Sequence, residues 1–243
     1  MILAALILFI LVSLTAVSAV DTNQTDEIAE EDSTTVTQDI LSVEPADTGN
    51  FTELNDNLID KKTLELTKNY THNPDGDSNY KDGINISHDI AIDGKGHTIN
   101  GNNQARIFNI ANAAVILKNI NFINGNADSG GAIYCENGNL TIINCNFSNN
   151  NAYDNELEGG AIDFAGDELS IDNSIFANNT ATLNSGAINF NGISLSINNT
   201  EFKSNKAEEF AGAIGVDEAS DIKIINTNFD NNNALIFLIM LSV

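Results

Sequence analysis

The triplet Gly-Ala-Ile occurs four times, at Gly131-Ala132-Ile133, Gly160-Ala161-Ile162, Gly186-Ala187-Ile188 and Gly212-Ala213-Ile214, with starts 29, 26 and 26 residues apart. A fixed period of this length restricts the fold to architectures that stack one supersecondary unit per repeat. Each triplet is followed by an alternating segment: Leu140-Thr141-Ile142, Leu169-Ser170-Ile171, Leu195-Ser196-Ile197 and Ile222-Lys223-Ile224. Seven residues after the first apolar residue of each segment stands a Phe: Phe147, Phe176, Phe202 and Phe229. An Asn lies three residues beyond each Phe (Asn150, Asn179, Asn205, Asn232), and an Ala two further on (Ala152, Ala181, Ala207, Ala234). A less regular copy has Val115, Leu117 and Phe122 at the same offsets, with Gly125 in the Asn position and Ala127 in the Ala position.

Alternation with a period of two marks strands, and three short strands per copy joined by polar corners make one turn of a β-solenoid. The expected fold is therefore all-β, a right-handed parallel β-helix of about six coils with a short N-terminal capping helix. Ile133, Ile162, Ile188 and Ile214 share the inward parity of the first strand, and Tyr134, Asp163, Asn189 and Gly215 the outward one. A slip of one residue would exchange them, so the register is well specified. Stacking coils about 4.8 Å apart places the Phe residues in one internal column, each burial contributing roughly 2–3 kcal/mol.

The chain holds 39 Asn residues, a bias that suits many tight corners. Asn119, Asn144, Asn173, Asn199 and Asn226 each follow the middle strand by two residues, which by parity puts them inside, amide stacked on amide. The alternative for this column is a row of turn residues facing solvent. Length variation falls between the Ala and the next Gly, as in residues 153–159, and so places the loops along one edge.

The ends carry different signals. Residues 2–20 are almost wholly apolar, with Val17-Ser18-Ala19 offering small residues for cleavage, so 1–19 reads as a signal peptide despite the missing basic start; an uncleaved anchor is the alternative. Residues 20–49 read as an acidic, self-repelling leader without a single basic residue. The β-helix domain is expected over 50–234, opening with a helix whose apolar face holds Phe51, Leu54, Leu58 and Ile59, after which Thr63-Leu64-Glu65-Leu66 begins the first strand. Residues 235–243 form an apolar tail where the next Gly-Ala-Ile is due, read as a plug on the last coil or as a truncation.

These repeats resemble those of chlamydial polymorphic outer membrane proteins. With the acidic leader and Ile92-Asp93-Gly94-Lys95-Gly96-His97-Thr98-Ile99, the arrangement over roughly 50–234 is still more similar to the adhesin-like surface proteins of methanogenic archaea. That resemblance implies the pectin-lyase-like fold, and an exported, adhesive protein located in the secreted or cell-surface space. Its partner would be an unidentified surface ligand, carbohydrate or another cell's surface, with membrane contact only through an uncleaved signal. Such proteins continue into further repeats, Ig-like modules and an anchor or translocator domain.

Parallel β-helices also include polysaccharide lyases and glycoside hydrolases, which need several Asp on adjacent outward positions with an Arg or Lys nearby. Here the outward column Tyr134, Asp163, Asn189, Gly215 holds one acid, and the lone Arg106 sits in a poorly patterned coil. No catalytic, cofactor-binding or metal-ligating residue is assigned, and no cofactor is expected. A sugar-cleaving enzyme is the alternative function, and a non-functional gene remnant another.

Asp75-Gly76-Asp77-Ser78-Asn79 has the alternating oxygens of a calcium loop, but Tyr80 and Ile86 stand where an EF-hand needs Gly and Glu, so a polar loop is the expectation. Cys135 aligns with Phe164, Phe190 and Val216 as a core residue, and Cys145 with Ser174, Thr200 and Thr227 at a corner; no His or second Cys pair accompanies them, which points against zinc, and free thiols stand beside a disulfide as the two readings of the pair. A net charge of −24 with nine Lys and one Arg excludes nucleic acid as a natural partner.

Overall fold

The computed structural model describes residues 48–153 and 158–234. The signal segment, nearly all of the leader and the tail at 235–243 lie outside the described residues. Within them the chain is an all-β parallel solenoid of about six turns with a single short helix, α1, at Phe51–Leu58.

One repeat shows how the sequence winds. From Gly131 the chain forms strands Ile133–Glu136, Asn139–Ile143, Asn146–Ser148 and Asn151–Ala152 before the next loop. The expected three strands are therefore four, because the Ala position makes a two-residue strand of its own. Repeating them builds four parallel sheets of six, seven, eight and four strands, named here the Ile, middle, Phe and Ala sheets.

Equivalent residues pair coil upon coil: Ile133 with Ile162, Leu140 with Leu169, Phe147 with Phe176, Ala152 with Ala181. The inward residues are buried throughout the central coils, so the core is a set of columns. The Phe column runs Phe122, Phe147, Phe176, Phe202, Phe229 with ring centroids 4.7, 4.7, 4.9 and 5.1 Å apart and planes within 14° of parallel. Face-to-face stacking is not the geometry free rings prefer. Here the strand spacing imposes it.

Corners carry the first correction. Asn119, Asn144, Asn173, Asn199 and Asn226 have φ of 54°, 53°, 50°, 48° and 47°, the left-handed region that Asn tolerates better than other L-residues bearing a side chain. A residue in that conformation interrupts the alternation, so the side chain predicted to point inward turns out to solvent. The next residue is the inward one: Ile120, Cys145, Ser174 and Thr200 are all buried. The Asn residues still form a row, Asn144 Nδ2 donating to Asn119 Oδ1 at 2.6 Å and Asn173 Nδ2 to Asn144 Oδ1 at 3.2 Å.

The buried amide column is instead the Asn of Phe-x-x-Asn. Asn150, Asn179 and Asn205 are wholly buried. Asn179 donates through Nδ2 to Phe147 O at 3.0 Å and Asn205 Oδ1 at 2.9 Å, and its Oδ1 accepts from Asn150 N at 3.0 Å and Asn150 Nδ2 at 2.9 Å. Asn150, Asn205 and Asn232 repeat the donation to the Phe carbonyl of the coil before. Gly125 begins the column, its N–H donating to Asn150 Oδ1.

The N-terminal cap departs from expectation at both ends: a strand at Thr48–Gly49, pairing with Asn69–Tyr70, precedes the one expected from Thr63, and Ile59 closes the helix and is 55% exposed, while Phe51, Leu54 and Leu58 are buried. Asn50 Oδ1 caps the first turn by accepting from Glu53 N. At the other end of the described coils, Ile214–Glu218, Asp221–Ile225 and Asn228–Asp230 are edge strands, and Ile222, Ile224 and Phe229 are more than 40% exposed.

Candidate functional site

A parallel solenoid can present chemistry only on its outward columns and in its corner loops, and of the outward acids weighed for catalysis the Ile sheet carries Asp163 and the middle sheet Asp172. Asp163 does have outward parity. It is nonetheless only 7% exposed, because the 128–130 segment folds over it. Asp163 Oδ1 accepts from Asn189 Nδ2 at 3.0 Å, and Oδ2 accepts the Ser129 hydroxyl from the coil before. Burial pushes its pKa above the ordinary carboxylate value, against these two hydrogen bonds and the field of Arg106.

Arg106, assigned by sequence to a poorly patterned coil, lies on the same face. Its Nε and Nη2 donate to Ser129 O at 3.1 and 2.8 Å, Nη1 donates to Asp82 O at 3.1 Å, and Nη2 pairs with Asp128. The guanidinium carbon stands 5.4 Å from the Tyr134 ring centroid. Four groups that look like a sugar-cleaving constellation thus meet across three coils. They are spent on one another and on the 128–130 loop: Arg106 grips it from one side, and Asp163 from the next coil.

Gly215 completes the column for a steric reason. A Cβ there would stand 2.1 Å from Ser185 Oγ, so any larger outward residue would require the Ser185 hydroxyl to rotate away. Ser185 Oγ is buried without a hydrogen-bond partner.

The loop at 75–79 is likewise structural. Asp77 is wholly buried and accepts four hydrogen bonds, from Phe51 N, Thr52 N, Thr52 Oγ1 and Asn73 N. Its carboxylate faces the first N–H groups of α1, where negative charge is stabilised. Burial raises its pKa, but the bonds from Asn73, Thr52 and Phe51 outweigh this and leave it below the usual 3.8. Among the described residues no group of three or more His, Cys, Asp or Glu is placed to hold a metal ion.

Both cysteines are free and buried, and burial pushes the Cys135 thiol up to about 12 and the Cys145 thiol up to about 11. Cys135 pairs with Ile110 and Phe164 in the core, as expected. Among the described residues no helix is long and apolar enough to cross a membrane.

Exposed, regularly spaced groups concentrate at the corner between the middle and Phe sheets. There the row Asn119, Asn144, Asn173 runs beside Asn121, Asn146 and Ile175, the first outward residues of the Phe sheet, and a groove of about 410 Å³ lies between. Sequence reasoning missed it because it placed the first row inside. The signal was present: Asn recurs at that offset in all five copies, the identity a left-handed corner selects.

No family model, no curated protein and no solved structure matches this chain.

Proposed function

We propose that this protein is an exported, cell-surface, adhesin-like scaffold that binds without catalysing a reaction. The observation that carries the reading is the closure of the Ile-sheet face. Catalysis on a saccharide needs a carboxyl pair within reach of substrate, on the order of 5–10 Å apart, whereas Asp163 is roofed by the 128–130 loop and hydrogen-bonded to Ser129 and Asn189. In contrast, the middle sheet presents the hydroxyls Thr141, Ser170 and Ser196 on successive coils, and the Phe sheet the amides Asn121 and Asn146. Rigid repeating surfaces of this type suit extended or multivalent partners.

Incubating the purified protein with a panel of soluble polysaccharides and assaying reducing ends and unsaturated products tests the non-catalytic part. No release is expected, and release abolished by Asp163→Asn would establish the enzyme reading instead. Retention of cells or cell-wall fragments on the immobilised protein tests the adhesive part, and their failure to bind would overturn it.

A further inference from the structure

A carboxamide has two N–H donors and two acceptor lone pairs. In the corner row Asn144 uses one donor on Asn119 and one lone pair on Asn173, which leaves one of each for a ligand. Asn144 and Asn173 are exposed and Asn119 half-buried. Across the groove Asn121 donates to Gly96 O at 2.9 Å, Asn146 stands half-buried beside it, and Ile175 is 43% exposed. The charged member of the lining, Lys95, sits at the N-terminal end and is engaged by Glu65 at 2.9 Å and Asp93 at 3.1 Å.

These features narrow the chemistry of an occupant. A polyanion is repelled by a chain of net charge −24. A polycation finds no carboxylate in the lining, and the nearby Glu65 and Asp93 are held by Lys95. An extended peptide docks by adding a strand to an open sheet edge, but the strands bounding this groove are paired on both sides. A chain of hydroxyls, each both donor and acceptor, matches a double row of neutral amides. The coil spacing of about 4.8 Å is close to the advance per residue of an extended pyranose chain, so successive sugars would meet the amide pairs Asn119/Asn121 and Asn144/Asn146 in turn. Ile175 offers an apolar contact for a ring's C–H face.

We propose that this groove binds an unbranched, uncharged polysaccharide lying parallel to the solenoid axis. The inference rests on the non-catalytic binding reading and gives it a site and a ligand class. The test is affinity electrophoresis of the full chain in gels containing hydroxyethyl cellulose, dextran or polygalacturonate, with calorimetry on any polymer that retards it. A neutral polymer is expected to retard the protein, and Asn121→Ala with Asn146→Ala and Ile175→Glu to weaken its binding at least tenfold. Glu208→Gln, exposed in the loop before the fourth Gly-Ala-Ile, should leave it unchanged.

The substituted groove side chains point outward, so circular dichroism and Tm should stay close to the parent. If the triple variant does not fold, Asn146→Gln alone should still weaken binding at least threefold. Retardation by neither neutral polymer, retardation that survives the groove variants, or tighter binding of polygalacturonate overturns the inference. Displacement of the neutral polymer by extended peptides would also overturn it. Cell retention that is intact in the triple variant would defeat the groove while leaving the adhesive reading standing, and sugar release would defeat both.

Discussion

Replacing Asn179 by Ala probes whether the buried amide column holds the coils together. The substitution removes the donor to Phe147 O and the acceptor used by both Asn150 N and Asn150 Nδ2. Asn205 Oδ1 keeps a bond from Asn179 N, which the backbone supplies. Two buried N–H donors of Asn150 are therefore stranded, and Phe147 O loses one of its donors. Each unsatisfied group costs about 1–3 kcal/mol, and relaxation recovers part, so the expected loss is about 3–5 kcal/mol. Asn179→Asp should be at least as costly near neutral pH, since a carboxylate cannot donate to Phe147 O and would carry a buried charge. Asn173→Ala is the matched control: its amide is exposed at a left-handed corner, and about 1 kcal/mol is expected. Equilibrium urea unfolding followed by circular dichroism measures all three, and hydrogen exchange locates the damage, because neighbouring coils of a solenoid lose protection together. A loss below about 1 kcal/mol for Asn179→Ala, or equal losses at 173 and 179, would refute the assignment of the two rows.

Gly160→Ala should abolish the native fold or cost more than about 4 kcal/mol, as the new Cβ would stand 2.2 Å from Gly186 O and 2.4 Å from Thr180 O, both backbone atoms; an unshifted melting curve would count against so close a packing of the loop corner. Asp77→Asn should destabilise by about 2–4 kcal/mol at pH 7. Because the folded-state pKa of Asp77 is depressed, its contribution is complete above the unfolded value of 3.8 and is lost as pH falls through the folded value, so the gap between parent and variant should close in acid and stay constant from pH 5 upward. Cys135 and Cys145 should both resist a thiol reagent in the native state and both react in denaturant, and prompt native labelling of either would contradict their burial.

The repeats made the fold legible because inward positions of a parallel stack meet their own kind: Ile faces Ile and Phe faces Phe, so a column in space is a period in sequence. Parity counting failed only where the chain leaves the β region. It was carried through Asn144, whose φ of 53° reverses the sense of the next residue, and so put the exposed row inside. The Phe-x-x-Asn corner held a usable clue. Its left-handed residue is Asn149, Asn178 or Asn231 but also Ser204, whereas the residue after it is Asn in all four copies. The position that tolerated replacement was the solvent-facing one. The gathering of Arg106, Asp128, Ser129 and Asp163 had no such signature, because it depends on loops of unequal length folding over the Ile sheet, and no fixed spacing encodes that.

Register also explains how so acidic a chain can stack coil on coil. Outward neighbours in adjacent strands are close enough that like charges directly opposite destabilise a sheet. Asp172 lies between Ile143 and Asn198, Glu168 between Asn139 and Ser194, and Asp163 between Tyr134 and Asn189. Among the described strand pairs the one acid facing an acid is Glu65 against Asp93, and Lys95 Nζ bridges the two at 2.9 and 3.1 Å. Asn119 Nδ2 and the Lys95 backbone and side chain hold the Asp93 carboxyl at about 2, so it stays ionised through the acidic range. The negative charge is thus diluted by amides and hydroxyls in each outward column. That dilution is what leaves Asn119, Asn121, Asn144, Asn146 and Asn173 as an uncharged patch on a strongly acidic protein, bounded by Asp93 beside Asn119 at one end and by Glu201 opposite Ile175 at the other.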